Sequence, residues 1–414
     1  MGLARNTVET FVAKGLVAFF GMLMTVLVAR ILGPAGRGVF SAAMAFAAIG
    51  VQIGNCGLPA SNIYFASSKR ALIKFLAGNS MFVALAVNTA LCFLAWGFFQ
   101  YRPDLAPLHG EMLSLALAWV PVGVGMLLMQ NLLLGMQQVR MFNLVELFRQ
   151  GGTLLAVLMA WFIGLNSPEA YFFVAFLVML AIFVWNTAYV VRQDGSRPAI
   201  SFPLLRKQAR YAVKAYFATL FAYLVLKIDI LMIQYLQGEV QTGLYSVAVA
   251  IGDVLYLVPV AAGTVLFPRL SSLEDGEARW NLTVRVVRWI GLVMAALAMM
   301  LMFGAEMALK FLFGEAYLPA APAVLILLPA VVLMGINTIF MNYFASLGMP
   351  VFTVISPGMA TAINVPANYF LIPVLGIAGA AWASLICYGL MLLMSLGYVW
   401  MLRNGNGNND ETKS

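Results

Sequence analysis

Three ionisable residues sit inside long apolar runs: Lys227 and Asp229 in the run 210–236, and Asp253 in the run 242–268. An uncompensated charge near the centre of a bilayer costs about 2.5–3.5 kcal/mol on insertion scales, so none of the three should face hydrocarbon. At about 1.5 Å of rise per residue, Lys227 lies about 13 Å in from 236 and Asp253 about 16 Å in from 242. A short loop joins the two runs, so these side chains can meet across it. Lys227 and Asp229 are two residues apart and point to different sides of a helix, which makes them poor partners for each other. Two chemistries remain open. Lys227, with Arg30, could face a cavity and attract an anionic group, with Asp229 or Asp253 neutralising the site or coupling it to a cation. Alternatively, a Lys227–Asp253 pair locks the hairpin and Asp229 caps polar neighbours.

Arg30 is near the outer end of its run, where a long cationic side chain can also snorkel to headgroups. Arg149 follows Glu146 at the inner start of another run, and is the lesser candidate for meeting a phosphate. Arg285 and Arg288 read as topology anchors, and Glu306 with Lys310, four apart, as an intrahelical pair. No residue set suits catalysis or a metal. Cys56, Cys92 and Cys387 are scattered at no ligand spacing and read as apolar packing residues. His109 is a lone loop histidine between Pro107 and Gly110, read as solvated. No Gly-x-x-x-x-Gly-Lys-Ser/Thr run is present, so ATP is not expected to be hydrolysed on this chain. No cofactor is implied.

The elements that must position these charges follow from composition. Of 414 residues, 63% are hydrophobic and 10% charged, with a mean hydropathy of +0.93. The bilayer is then the solvent, and nearly the whole chain is used up in spans of roughly 20–25 residues. Gly, Pro and charged punctuation places them at 10–32, 38–66, 74–100, 112–137, 142–164, 168–191, 210–236, 242–268, 282–312, 321–347, 351–373 and 377–401. The first run is interrupted by Lys14 and lacks a small-residue cleavage site, so it reads as a span and not as a removed signal. Placing the N-terminus in the cytoplasm puts 19 of the 24 Lys and Arg residues inside, among them Arg5 and Lys413; Arg30, Arg37, Arg102 and Lys310 lie outside, and Lys227 in the membrane. That asymmetry is the positive-inside pattern, and it puts both termini in the cytoplasm. The net charge of +8 therefore reports orientation and attraction to anionic membrane lipid, and no nucleic-acid partner.

A basic connector at 192–207 divides six spans from six, giving an N-terminal bundle at 1–191, a C-terminal bundle at 208–402 and a polar tail at 403–414 expected to be disordered. The halves echo each other. Gly38-Val39-Phe40-Ser41-Ala42-Ala43 matches Gly243-Leu244-Tyr245-Ser246-Val247-Ala248, each opening the second span of its half, and Leu134-Gly135-Met136 recurs as Leu347-Gly348-Met349. An offset of six spans keeps both copies the same way up. The expectation is an all-α membrane protein of about twelve transmembrane helices, in two six-helix bundles related by a parallel pseudo-two-fold axis, with a cavity for transport. Pro322, Pro329, Pro357 and Pro366 kink the tenth and eleventh spans, which suits alternating access. Amides within spans, such as Asn62, Asn88, Gln130, Asn337, Asn364 and Asn368, serve as interhelical glue or line a wet cavity.

The stretch Ala29-Arg30-Ile31-Leu32-Gly33-Pro34-Ala35-Gly36-Arg37-Gly38-Val39-Phe40-Ser41 resembles the first-hairpin signature of the polysaccharide transporter (Wzx-like) branch of the MOP exporter superfamily. Lys227-Ile228-Asp229-Ile230-Leu231, Phe267-Pro268-Arg269-Leu270-Ser271 and Ile372-Pro373-Val374-Leu375-Gly376-Ile377-Ala378-Gly379-Ala380-Ala381-Trp382-Ala383-Ser384 are similar to further segments of that family, in the same order. The resemblance implies a MATE-like two-bundle fold and a flippase in the bacterial inner membrane. It would carry undecaprenyl-pyrophosphate-linked oligosaccharide from the cytoplasmic to the periplasmic leaflet, with a polysaccharide polymerase and a chain-length regulator as further partners. Lys227 and Arg30 would then meet the pyrophosphate. Members often have fourteen spans, where this chain has twelve. A cation-coupled multidrug exporter of the same superfamily is the alternative. A membrane glycosyltransferase or polymerase would need a sizeable outer loop, and the longest here covers about 101–111, so no enzyme is expected.

Overall fold

Backbone groups in hydrocarbon have no water to bond, so an apolar chain closes its hydrogen bonds within helices. A computed structural model describes residues 2–410, which carry helices and no strand. In chain order the helices are α1 (Gly2–Gly54), α2 (Leu58–Ser68), α3 (Ile73–Met81), α4 (Asn88–Tyr101), α5 (Gly110–Gly135), α6 (Val139–Phe162), α7 (Pro168–Asp194), α8 (Phe202–Gln237), α9 (Glu239–Ser271), α10 (Gly276–Phe303), α11 (Ala305–Leu312), α12 (Ala321–Ser346), α13 (Phe352–Leu375) and α14 (Ile377–Asp410).

Among the described residues, eleven helical stretches are long and apolar enough to cross a membrane. One of them, Val12–Gly54, has 43 residues. At about 1.5 Å per residue that is about twice the hydrocarbon thickness of ~30 Å. It bends where Gly33 takes φ 65° and ψ −177°, just ahead of Pro34. Glycine adopts that conformation without the Cβ clash other residues meet. Divided at this bend it supplies two spans, and the expected twelve are reached. The second of them continues through α2 after a break at Cys56 and Gly57, both at positive φ. A π-helical stretch at Phe82–Val87 joins α3 to α4 into one span, and the Val83 carbonyl there accepts both the Asn88 backbone N–H and the Asn88 side-chain amide, the latter at 2.8 Å.

Two expectations are corrected. The span at 282–312 ends at Phe303, because Gly304 closes α10, and α11 is a separate short helix that buries Ala305 and Leu309. Lys310 pairs with Glu315 at 2.7 Å, not with Glu306, because the chain turns back after Leu312. The tail from 403 is helical through Asp410; residues 411–414, with Lys413, lie outside the described residues, as does the side chain of Arg5.

The chain divides into two compact units, 1–223 with 238–243, and 224–237 with 244–414, so the division falls within α8 and again within α9. In unit 1, a buried network joins α2, α3 and the start of α8. Gln208 donates to Asn62 Oδ1 at 2.8 Å and accepts from Asn79 at 2.9 Å, while Asn62 donates to Ser80 Oγ at 2.9 Å. Asn79 also exchanges two bonds with the Ser201 backbone, at 2.8 and 3.1 Å. These amides are glue. The two repeats also touch in this unit. A Cβ on Gly38 would lie 1.8 Å from the Glu239 carbonyl, and one on Gly243 would lie 1.9 Å from the Pro34 carbonyl. The same offset of 205 relates 34 to 239 and 38 to 243, so the contact is reciprocal, as across a two-fold axis. Unit 2 packs Val225, Ala330, Met334, Ala360, Cys387, Tyr388 and Met391 into one core cluster. Phe93, Phe162, Phe303 and Leu393, by contrast, stand exposed, as befits an apolar solvent.

Candidate substrate and coupling site

Lys227 and Asp229 do leave α8 on different sides. Lys227 Nζ lies 3.0 Å from Asp253 Oδ2 on α9, and the side chains are 26% and 57% exposed. Asp229 is 2% exposed. It accepts from the Tyr245 hydroxyl at 2.5 Å and from its neighbour Ile230 N at 2.9 Å, with Ser384 Oγ of α14 at 3.5 Å. A buried carboxylate with hydroxyl and amide donors is tolerable where a bare one is not.

Asp229 and Asp253 line one cavity of about 30 Å³ in unit 2, together with Tyr245, Tyr256 and Tyr388. By volume it has room for about two waters. On α9 the lining residues Tyr245, Val249, Gly252, Asp253 and Tyr256 recur at helical spacing, so one face of that helix supplies most of the polar wall. Tyr256 in turn meets Thr338 Oγ1 at 2.9 Å. Sequence reasoning missed these hydroxyls, because a tyrosine in an apolar run passes for packing. The repeat carried a signal: at the offset of 205, Tyr245 corresponds to Phe40 and Asp253 to Ala48, so the polar groups belong to the second copy.

Arg30 is placed elsewhere. It lines a cavity of about 670 Å³ in unit 1, between α1 and the end of α6, with Leu27, Leu154, Leu158, Trp161 and Asn166. Apolar walls with one guanidinium and one amide suit an amphipathic ligand carrying an anionic group. Arg149 pairs with Glu146 one turn earlier on α6, and Glu146 also accepts from Gln130 at 3.2 Å. Its charge is therefore balanced locally. The cluster of Lys227, Asp229 and Asp253 is one site; Arg30 and Arg149 lie in unit 1. No group of three or more metal-ligating side chains occurs among the described residues.

Residues 3–274 match the family of polysaccharide biosynthesis proteins. The chain belongs to that family. An uncharacterized membrane protein of Methanocaldococcus jannaschii is 26% identical over 245 residues, 55% of this chain and 46% of that protein, so the chain spans about half the length of the curated relative it matches. Among solved structures, the lipid II flippase MurJ in an inward closed conformation superposes with a TM-score of 0.73 at 15% identity, covering 95% of this chain and 87% of that one. An inward-facing multidrug resistance MATE transporter of the MOP superfamily gives 0.70 at 14% identity, over 99% and 96%. A MOP superfamily transporter from Pyrococcus furiosus gives 0.67 at 14%, over 96% and 94%. At these identities the likeness is one of fold. The chain is a multi-pass membrane protein of the polysaccharide biosynthesis family, with the fold of MOP superfamily transporters.

Proposed function

We infer that this protein is a flippase that carries an undecaprenyl-pyrophosphate-linked oligosaccharide from the cytoplasmic to the periplasmic leaflet of the bacterial inner membrane. It works by alternating access of the bundles 1–191 and 208–402, with both termini cytoplasmic. The observation that carries this reading is a partly exposed ammonium on Lys227, held at membrane depth by an even more exposed carboxylate in a chain of the polysaccharide biosynthesis family. An ion pair that the protein leaves partly uncovered can exchange its carboxylate for a diphosphate without breaking into the packed core. In this reading Lys227 meets the diphosphate and Asp253 holds it in the resting state. Asp229, enclosed with Tyr245, serves the coupling step. Arg30 offers a second cation in its apolar cavity, and Arg149, released from Glu146, a third. A polysaccharide polymerase and a chain-length regulator would act on the delivered product.

The second reading, a cation-coupled small-molecule exporter, is favoured by the buried Asp229 with its hydroxyl donors and by the multidrug-transporter fold. Gene deletion separates the two. The flippase reading expects lipid-linked repeat units to accumulate facing the cytoplasm, with surface polysaccharide lost. Intact polysaccharide with raised sensitivity to cationic drugs would replace it with the exporter.

A further inference from the structure

The network that ties Gln208 to Asn62 and Asn79 fixes the first turns of α8 against α2. Beside it, Tyr64 of α2 and Tyr211 of α8 stack with ring centroids 4.5 Å apart and planes 16° from parallel. Phe65 packs edge-on against both, at 5.2 and 5.9 Å. Tyr64 is 47% exposed and Tyr211 49%. Each ring thus gives one face to its partner and leaves much of the rest open.

The charges around this pair have one sign. Lys207, Tyr211 and Lys214 stand at i, i+4 and i+7 on α8, along one exposed face. No Asp or Glu occurs from 195 to 228, where Arg197, Arg206, Lys207, Arg210, Lys214 and Lys227 lie, nor from 58 to 75, where Lys69, Arg70 and Lys74 lie. Among the described residues, Lys207, Arg210 and Lys214 form no ion pair. Positive-inside topology accounts for the sign of these charges, but not for two stacked rings set between cations. An aromatic face left uncovered by the protein is apolar and electron-rich, and it suits the C–H face of a pyranose ring. Lysines one and two turns away, on flexible four-carbon stems, suit a diphosphate. Seven residues place them about 10 Å apart along the axis, near enough for both to converge on one diphosphate beside the exposed ring of Tyr211.

We propose that Tyr64 and Tyr211, with Lys207 and Lys214, form a landing site for the diphosphate–sugar head of the lipid-linked substrate, at the end of unit 1 that the basic residues assign to the cytoplasm. It is a binding site separate from the intramembrane charges, and it rests on the flippase reading. The stacked rings read the sugar next to the diphosphate. The lysines read the diphosphate itself.

The test uses the full chain in nanodiscs of phosphatidylcholine, with three probes: polyprenyl-diphosphate N-acetylglucosamine, bare polyprenyl diphosphate, and phosphatidylglycerol. Wild-type protein should bind the sugar-bearing lipid about tenfold more tightly than the bare diphosphate. Tyr211→Leu and Tyr64→Leu should erase that difference and keep bare-diphosphate binding, which also reports that they are folded. The double variant of Lys207→Gln with Lys214→Gln should weaken both diphosphates about tenfold. Equal binding of the first two probes, unchanged sugar preference in Tyr211→Leu, or competition by equimolar phosphatidylglycerol would each overturn the landing site. Flipping of the sugar-bearing lipid by wild-type proteoliposomes is measured alongside. Absence of flipping removes the flippase reading, whereas flipping that continues with an unaltered Tyr211→Leu preference removes the landing site alone.

Discussion

Exchanging the two ends of the Lys227–Asp253 pair separates a hairpin lock from a substrate contact. At 3.0 Å, two unit charges attract by about 1.4 kcal/mol in water and about 5.5 kcal/mol at an effective dielectric of ~20. In the water-filled cavity of the flippase reading, with the side chains 26% and 57% exposed, the pair belongs toward the first figure. Ordering two side chains then brings its net worth to about 0–1 kcal/mol. A lock of that size is restored by reversing both charges, since Lys227→Asp with Asp253→Lys keeps the pair. A diphosphate does not see it that way, because the swap puts a carboxylate where it would meet an ammonium. One unit charge at about 4 Å from another is worth about 1 kcal/mol in water, reversing its sign doubles the change to about 2 kcal/mol, and about 1.4 kcal/mol already makes a tenfold difference in affinity. We expect both single variants and the swap to flip polyprenyl-diphosphate sugar at least tenfold more slowly than wild type in proteoliposomes, read by quenching of a labelled sugar. Melting of the swap should stay within about 4 °C of wild type, an upper bound for about 1 kcal/mol in a chain longer than 250 residues, whereas each single variant leaves two like charges side by side and should melt lower. A swap variant that regains the wild-type rate within twofold would refute the reasoning and leave the pair as a lock.

Gln208→Leu removes two bonds of the buried unit 1 network; at up to ~1.7 kcal/mol each in a membrane bundle, the loss of about 1–3 kcal/mol should lower the melting temperature by several degrees, and an unchanged melt would contradict it. Gly38→Val drives a side chain into the Glu239 carbonyl, where no flexible group can yield, so the variant should be produced poorly and flip nothing; normal flipping would show that the contact gives way freely. Tyr245→Phe deprives the buried Asp229 of its hydroxyl donor, a loss of about 1.5–3 kcal/mol for a bond to a charged group, read as a lower melting temperature that Ser384→Ala alone does not reproduce. In the loop after α4, the hydrogen bond from Arg102 holds the Asp104 carboxyl below its usual range. Its contribution is present at neutral pH and fades as pH falls through that lowered value; Arg102→Gln should return the titration upward in carbon NMR of labelled aspartate, and an unmoved titration would deny the pairing.

Span positions were legible because bilayer thickness dictates both run length and helix, leaving little for packing to decide. Gly33 and Gly304 show where that reading stops. One glycine lets two spans continue as a single bent helix, and the other splits an apolar run in two, yet both look like ordinary punctuation in the sequence. The Lys227–Asp253 pair was readable from depth along adjoining runs. The enclosure of Asp229 was not, because it depends on Tyr245 and on Ser384, which lies 155 residues away. Arg30 and Arg149 carry the same charge, but local surroundings decide their chemistry: an apolar cavity for one, and Glu146 for the other. The Tyr64–Tyr211 stack joins residues 147 apart, and no periodicity along the chain announces it.

The repeat keeps its backbone and not its charge. Gly38 and Gly243 are held to glycine by a reciprocal backbone contact, a demand that symmetry imposes on both copies at once. Polar groups obey no such demand. Each buried carboxylate must find its own donors, and a second set at Phe40 and Ala48 would double that requirement. Phe40 instead packs edge-on against Phe172 at 6.3 Å. Its counterpart Tyr245 presents a hydroxyl to Asp229. A single oxygen at one repeat position thus separates the copy that gives a buried carboxylate its donor from the copy that packs two rings there.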